Sequence, residues 1–504
     1  MFFARVHGHM NMTRHLRYFG ALSIALTCIA TNAQAESAFV SSDVAAQAEA
    51  PAPQAPFTLV AVTIDGSSIY RADDLSAAYS SYLLQTVYDT DLARIAGAIT
   101  DHYRRDGYFL SRAVVTGASA GVAQIEVVEG RISEITVRGD GARIVRRILR
   151  GFDTQGPAQL RDLDRRMALA SDVPGLIIES HIEPDVDNPA LHHLIIDTRL
   201  QHTTGRAALD NRGAENEGPL RFYAQGAANS ALSSGDQLSL AVFGAPPHGN
   251  EYRGAELGYT RDLGDGVRLG ASLMNARARD GADEATLAIG GERQRAALHL
   301  EIPLIRARDR ALWATTQFEA NEIAYDWVGG GGYIDNTRVL RAGLRGFLND
   351  DGESTTLIVE GALGLDVLGA SGGSAMRRSR YDADAQFFSL AFHVAHYRDL
   401  GAHFGIYAAV DGQWADDPLL LSEQFQLGGA AYGRAFPYGE LTGDKGIAGS
   451  VELRAGFDPG WESISFIQGY AFVDAGRVWN ISPDEATQSL ASPGLGMRVT
   501  ILDR

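Results

Sequence analysis

Hydrophobic and polar positions follow three different rhythms along this chain. Between Phe57 and Leu200 short apolar runs alternate with stretches of helical spacing. Phe57–Ile64 reads as a strand. Asp73–Tyr82 and Asp91–Arg105 carry helical spacing, with Leu92, Ile95, Ala96 and Ile99 on one face and Thr90 placed as an N-cap. Phe109–Val115 and Val122–Val128 follow as strands joined by a Gly/Ser turn, so the order is βααββ. The order repeats: strand Ile132–Val137, helices Arg143–Arg150 and Leu160–Ala170, strands Leu176–Ile182 and Leu191–Leu200. These two units span 57–129 and 130–201, and each leaves sheet edges that an extended peptide can join.

From residue 202 to 504 the period becomes two. In Val339–Phe347, Leu340, Ala342 and Leu344 share one face, while Arg341, Gly343 and Arg345 share the other. In Leu357–Asp366, Leu357, Val359, Leu363 and Leu365 oppose Glu360 and Asp366. In Val451–Phe457, Val451, Leu453, Ala455 and Phe457 oppose Glu452 and Arg454. Aliphatics on one face and charges on the other suit lipid outside and a wet lumen inside; a soluble sandwich with one solvated face is the competing reading. About 14 such strands are expected, starting near Arg206, Leu220, Gln237, Tyr252, Arg268, Ala285, Ala311, Thr337, Thr355, Gln386, His403, Gly449, Ile464 and Gly494.

The first 35 residues read as a secretory signal. Arg14 and Arg17 precede the apolar stretch Gly20–Ala30, and Ala33-Gln34-Ala35 offers a cleavage site. Met1 and Met12 both remain open as the start, and Ala25-Leu26-Thr27 before Cys28 makes a poor lipobox. Residues 36–56, rich in Ala, Pro, Gln and Ser, read as a linker. Cys28 is the only cysteine, so the mature chain is expected to hold no disulfide and no Cys-ligated metal.

Composition narrows the classes further. The formal charge of −18 becomes −21 once Arg5, Arg14 and Arg17 leave with the signal, which argues against a nucleic-acid partner. The mean hydropathy is −0.10. Beyond the N-terminus no apolar run approaches the length of a membrane helix. Gly117–Gly121 satisfies G-x-S-x-G but lies between two strands, where a hydrolase elbow requires a helix after the serine. His192 and His193 are neighbours on a strand and point to opposite faces. Asn349–Gly352 is too short for a calcium loop, and Gly329–Gly332 lacks the Lys-Ser/Thr of a P-loop. The reading is of no enzyme, no catalytic residue, no metal and no cofactor.

Several motifs carry a resemblance. Val127-Val128-Glu129-Gly130-Arg131-Ile132 leads to Val137-Arg138-Gly139, and Asp210-Asn211-Arg212-Gly213 opens the β-rich region. Phe425-Gln426-Leu427-Gly428-Gly429 leads to Gly433-Arg434-Ala435-Phe436, then Gly443-Asp444-Lys445-Gly446 and Glu452-Leu453-Arg454; Phe472-x-Asp474-x-Gly476 follows. In these the chain resembles the ShlB/FhaC/HecB family of two-partner secretion transporters, within the BamA/TamA superfamily.

The resemblance implies two α/β POTRA domains in the periplasm and an antiparallel outer-membrane β-barrel. It implies a translocase that captures a large secreted adhesin or haemolysin and exports it through a monomeric barrel set in outer-membrane lipid; an outer-membrane assembly factor of the superfamily is the alternative. The stretch Gln424–Ala448 would fold back into the lumen and set Arg434 against Asp474. Gly428, Gly429, Gly433 and Ala435 would frame it, Phe436 would pack beside Phe472, and Gly476 would leave room for the loop backbone. Gly433 and Ala435 depart from the family's Val and Gly. The family barrel has 16 strands. With 14, strand Gly494–Asp503 must pair with Arg206–Gly213, or a seam stays open where two strands are lacking.

Overall fold

The computed structural model describes residues 55–211, 220–245, 252–279, 290–326, 331–482 and 486–501. The signal segment and nearly all of the Ala/Pro-rich linker lie outside the described residues, as do Arg212, Gly213, Ala285, Gly329 and Gly330. Two compact units meet in sequence at Gln201 and His202.

The first unit holds two domains. In the first domain β1 (Phe57–Thr58) pairs with β3 (Thr86–Val87), while β2 (Ala61–Asp65) runs parallel to β5 (Val122–Val128) and β4 (Arg112–Ser119) antiparallel to it. The run expected as one strand from Phe57 thus breaks at Leu59, which is fully buried. Helix α1 (Asp89–Arg105) buries Leu92, Ile95, Ala96, Ile99 and Tyr103 along one stripe against this sheet. Its start differs from the expected Thr90 cap, because Asp91 reaches back to accept the Tyr88 N–H at 3.0 Å. Asp73–Tyr82 is not a helix but two 3-10 turns, Ser76–Ala78 and Ser80–Tyr82. Serines compete for the backbone there: the Ser76 hydroxyl donates to the Asp73 carbonyl at 2.6 Å.

The second domain repeats the topology: β6 (Arg131–Gly139), α2 (Ala142–Ile148), α3 (Leu160–Ser171), β7 (Leu176–Pro184) and β8 (Leu191–Leu200), with sheet order β6-β8-β7 matching β2-β5-β4. Its core gathers Ile132, Ile144, Val145, Leu163, Leu194 and Ile196. Phe109 and Leu110 pack on that core instead of starting β4, which explains why β4 begins at Arg112. At this joint Leu160 N–H donates to Gly107 O at 2.9 Å and Ala158 N–H to Gly130 O at 2.9 Å. A side chain at Gly130 would come within 2.4 Å of the Leu110 carbonyl, so the glycine permits the close approach.

The second unit is one 14-stranded antiparallel sheet. Its members are β9 (Thr203–Asp210), β10 (Arg221–Asn229), β11 (Asp236–Gly244), β12 (Tyr252–Gly264), β13 (Val267–Arg279), β14 (Gly290–Arg306), β15 (Arg310–Asp326), β16 (Gly332–Asp350), β17 (Glu353–Gly364), β18 (Phe388–Gly401), β19 (Phe404–Ala415), β22 (Lys445–Phe457), β23 (Ile464–Trp479) and β24 (Gln488–Ile501). Short β20 (Phe425–Leu427) and β21 (Leu441–Gly443) pair inside the β19–β22 connection. Every expected strand has its counterpart, but β16, β22 and β24 start early, at Gly332, Lys445 and Gln488 where Thr337, Gly449 and Gly494 are expected. Tight turns at one end, such as Asp265–Gly266 and Asp351–Gly352, alternate with long connections at the other. Ser119 closes a hairpin turn through Ala120 and Gly121, both at positive φ, and no helix follows it. Pairing of the last strand with the first is not formed among the described residues: β9 and β24 are the two edges of the sheet. No described helix is long and apolar enough to cross a membrane.

The faces alternate as the period of two requires. Leu340, Ala342 and Leu344 are exposed on β16 between half-buried Arg341, Gly343 and Arg345. On β22, Ile447, Val451 and Leu453 point out, while Ala448, Ser450 and Glu452 are buried.

Candidate functional site

The β19–β22 connection, Asp416–Asp444, supplies the site. Leu421 packs against a cluster carried by β11, β12, β13, β15 and β16. Glu423 accepts from Arg341 of β16 at 2.7 Å. Tyr438 lies within electrostatic reach of Arg221 on β10, and Arg434 contacts β22 and β23. One segment touches opposite parts of the sheet, so the sheet curls around it and the segment lies inside.

Glycines shape its tip. Gly428, Gly429 and Gly433 hold φ of +112°, +90° and +86°, values that side chains resist. A Cβ on Gly428 would stand 2.3 Å from the Pro437 carbonyl, and one on Gly433 would stand 2.6 Å from Leu490. Ala435 tolerates its place because its contact is made by the backbone: its N–H donates to Ser492 Oγ at 2.8 Å.

The tip presents Arg434 to a fitted wall. Nε donates to Asp474 Oδ2 and Nη2 to Asp474 Oδ1, both at 3.0 Å, a bidentate fork. Nη1 reaches Glu452 Oε1 at 2.6 Å and Nη2 also reaches Ser450 Oγ at 2.8 Å. The Gly433 and Arg434 N–H groups both donate to Asp474 Oδ2 at 3.2 Å. The guanidinium carbon lies 3.8 Å from the centre of the Phe472 ring. Asp474 is 0% exposed and Glu452 2%.

Strand register explains why these groups converge. Ser450, Asp474 and Ser492 are direct cross-strand partners on β22, β23 and β24, forming one row. The next row is Glu452, Phe472 and Gly494. A Cβ at Gly494 would meet the Phe472 ring at 2.5 Å, so the glycine lets the ring lie flat beneath the guanidinium.

The structure thus brings together Arg434, Asp474 and Phe472. Two expected details differ. Gly476 opens space for the Leu427 side chain, 2.5 Å from its would-be Cβ, rather than for loop backbone. Phe436 is partly exposed and is held by its backbone: its N–H donates to Gly433 O and its carbonyl accepts from Gly429. The ring neighbouring Phe472 is Tyr470. Glu452, in the Glu452-Leu453-Arg454 stretch, is a further member of the site. It also binds Arg454 at 2.7 Å and Arg498 at 3.2 Å. Its signal was a charge on the inner face two residues from Ser450. Ser450 and Ser492 had no signal apart from register. His193 pairs with Asp185 at 3.3 Å, and Asn349–Gly352 is the β16–β17 turn.

Comparisons with known proteins agree with this architecture. The model of the haemolysin secretion/activation protein ShlB/FhaC/HecB matches residues 195–499, and that of the ShlB-type POTRA domain matches residues 57–130. The heme/hemopexin transporter protein HuxB of Haemophilus influenzae is 21% identical over 419 residues, covering 79% of this chain and 72% of that protein. The outer membrane transporter CdiB of Escherichia coli is 28% identical over 193 residues, covering 37% and 31%. Among solved structures, CdiB from Escherichia coli matches with a TM-score of 0.71 at 20% identity, covering 90% of this chain and 86% of that one. BamA from Haemophilus ducreyi lacking POTRA domains 1-3 matches with a TM-score of 0.50 at 14% identity, covering 89% and 97%. These structures share the fold: POTRA domains followed by an outer-membrane β-barrel. The chain is an outer-membrane transporter with its N-terminal domains in the periplasm, and it belongs to the haemolysin secretion/activation protein ShlB/FhaC/HecB family.

Proposed function

We propose that this chain captures one large secreted partner protein in the periplasm through residues 57–201 and passes it outward through the interior of its sheet. The segment Asp416–Asp444 occupies that interior at rest, pinned by Arg434. The transfer needs no covalent chemistry and no nucleotide, and one chain forms the conduit. The observation that carries this reading is the bidentate Arg434–Asp474 pair, with Glu452 as second acceptor, fastening a long connection to the inner wall. A guanidinium makes that fork and a lysine does not. Two edge strands in each small domain, β2 and β4 in one and β6 and β7 in the other, offer backbone for an extended partner segment.

The test is secretion of the cognate exoprotein by cells carrying Arg434→Ala. The expected result is loss of secretion with normal amounts of the transporter in the outer membrane. Full secretion at normal levels overturns the pin. Capture is tested apart, by titrating purified 57–201 with the partner's N-terminal region; an absence of binding refutes the capture role.

A further inference from the structure

Asp444 sits at the other end of the same connection and is 0% exposed. Its Oδ1 accepts from Arg380 Nη1, from the Leu419 N–H at 2.9 Å and from Gln424 Nε2 at 3.1 Å. Its Oδ2 accepts from the Ile481 N–H at 2.9 Å. These donors come from three separate connections: 365–387 between β17 and β18, 416–444 between β19 and β22, and the one after Trp479 between β23 and β24. All three lie at the end of the sheet with long connections.

A web surrounds this carboxylate. Arg380 also donates to Asp382 Oδ2 at 3.0 Å and to the Leu419 carbonyl at 3.0 Å, and Ser482 donates to Asp382. Asn480 Oδ1 accepts the Asp444 N–H and Gln424 Nε2, each at 3.0 Å. The Leu421 N–H donates to Ser379 Oγ at 3.2 Å, and Asp384 bridges Leu419 as a strand partner. Asp444 and Arg434 bind different groups: Arg380, Leu419, Gln424 and Ile481 meet the first, and Asp474, Glu452 and Ser450 meet the second. Arg434 fixes the segment to the wall; Asp444 fixes three connections to one another.

We propose that Asp444 is a latch that closes the outer end of the sheet, and that Arg380 is its principal counter-charge. The proposal rests on the reading of the sheet interior as a conduit. A chain leaving through that end must part these connections, and Asp444 serves donors from all of them. Charge-assisted bonds of this kind are the strong ones, so their loss shifts the balance toward separated connections.

The experiment uses the full-length protein in planar lipid bilayers, comparing wild type with Asp444→Asn, Asp444→Ala and Arg380→Ala. The expected result is a rise in mean conductance of about tenfold for Asp444→Ala, with Asp444→Asn and Arg380→Ala in the same direction. The double variant Asp444→Ala/Arg380→Ala conducts no more than the larger single one. On intact cells, trypsin cleaves after Arg380 faster in Asp444→Asn than in wild type. If Asp444→Ala fails to reach the outer membrane, Asp444→Asn and Arg380→Ala decide. Wild-type conductance and wild-type trypsin resistance in correctly inserted variants overturn the latch. Failure of the conduit reading looks different: conductance rises as expected, yet wild-type cells export no partner protein.

Discussion

The small domains and the large sheet obey opposite burial rules. In residues 57–201 the side chains of Ile95, Ile99, Leu163, Leu194 and Ile196 are fully buried, and charge lies outside. In the sheet Leu273 is 61% exposed, Val473 56% and Leu453 50%, whereas Asp474, Glu452 and Glu319 are buried. The same physics gives both, because the surrounding medium differs. Water accepts charges and rejects aliphatics. Lipid does the reverse and also forbids unpaired backbone, which the strand ladder satisfies everywhere but at the edges. The inner face must then neutralise its own charges, and it does so with arginine: Arg295 on Glu319, Arg341 on Glu423, Arg345 on Glu301, Arg434 on Asp474.

The strongest way to break this comparison is to strand a charge inside the sheet. Asp474→Ala removes the bidentate partner of Arg434, a pair whose loss costs roughly 3–5 kcal/mol when well buried. Glu452 and Ser450 remain as acceptors and hold the effect toward the lower end. The double variant Arg434→Ala/Asp474→Ala should secrete no worse than either single one, because the two residues act as a unit. Export and heat-modifiable mobility measured across the four proteins check this. A double variant clearly worse than both would show that each residue has a separate task.

A weaker test exchanges like for like between the two regions. Leu194→Ala in the second small domain should cost about 2–5 kcal/mol in urea unfolding of the 55–201 fragment. Leu453→Ala on the sheet faces acyl chains in both reference and variant and should move stability by under about 1 kcal/mol. Leu453→Arg should cost about 2–4 kcal/mol near the bilayer centre. Equal losses for Leu194→Ala and Leu453→Ala would mean that the exposed face of β22 is covered by protein rather than lipid.

The period of two made this sheet legible strand by strand, because alternation between lipid and lumen writes every second residue with one polarity. Helix α1 was legible for the same reason, through Leu92, Ile95, Ala96 and Ile99. What pattern could not reveal was contact set by register. The Ser450–Asp474–Ser492 row exists only once three strands are aligned, and serine carries no periodic signal of its own. The two 3-10 turns escaped because their apolar spacing suited a helix, while serine hydroxyls drew the backbone elsewhere. Gly476 leaves space that Leu427 fills, and which group fills such a space depends on the loop's path. The Asp444 node joins residues as far apart in sequence as Arg380 and Ile481, and its burial could not be read from a Gly-Asp-Lys-Gly stretch that also spells a turn.

The finest contrast lies between two carboxylates, buried Glu452 in the sheet and half-buried Glu129 in the first small domain. Glu452 is met by three guanidiniums. Glu129 is met by neutral donors: the Ser68 N–H at 2.8 Å, the Ile69 N–H at 3.0 Å, the Tyr103 hydroxyl at 2.8 Å and the Ser68 hydroxyl. Burial works against its charge, yet the bonds from Ser68, Tyr103 and the two backbone N–H groups outweigh it and hold the carboxyl below its ordinary range. A depressed folded value means the contribution to stability is complete above the unfolded value of about 4.3 and is lost as pH falls through the folded one. Glu129→Gln should therefore lower the urea midpoint of the 55–201 fragment at pH 7, and the gap to wild type should close as the pH is taken below 4.3. The residue precedes Gly130, where the two domains touch, so the same variant should loosen the joint, seen as faster amide exchange at Ala158 and Leu160. A gap that stays constant with pH would mean that the neutral donors recognise the shape of this side chain and not its charge, and the contrast with the arginine-lined sheet would fall.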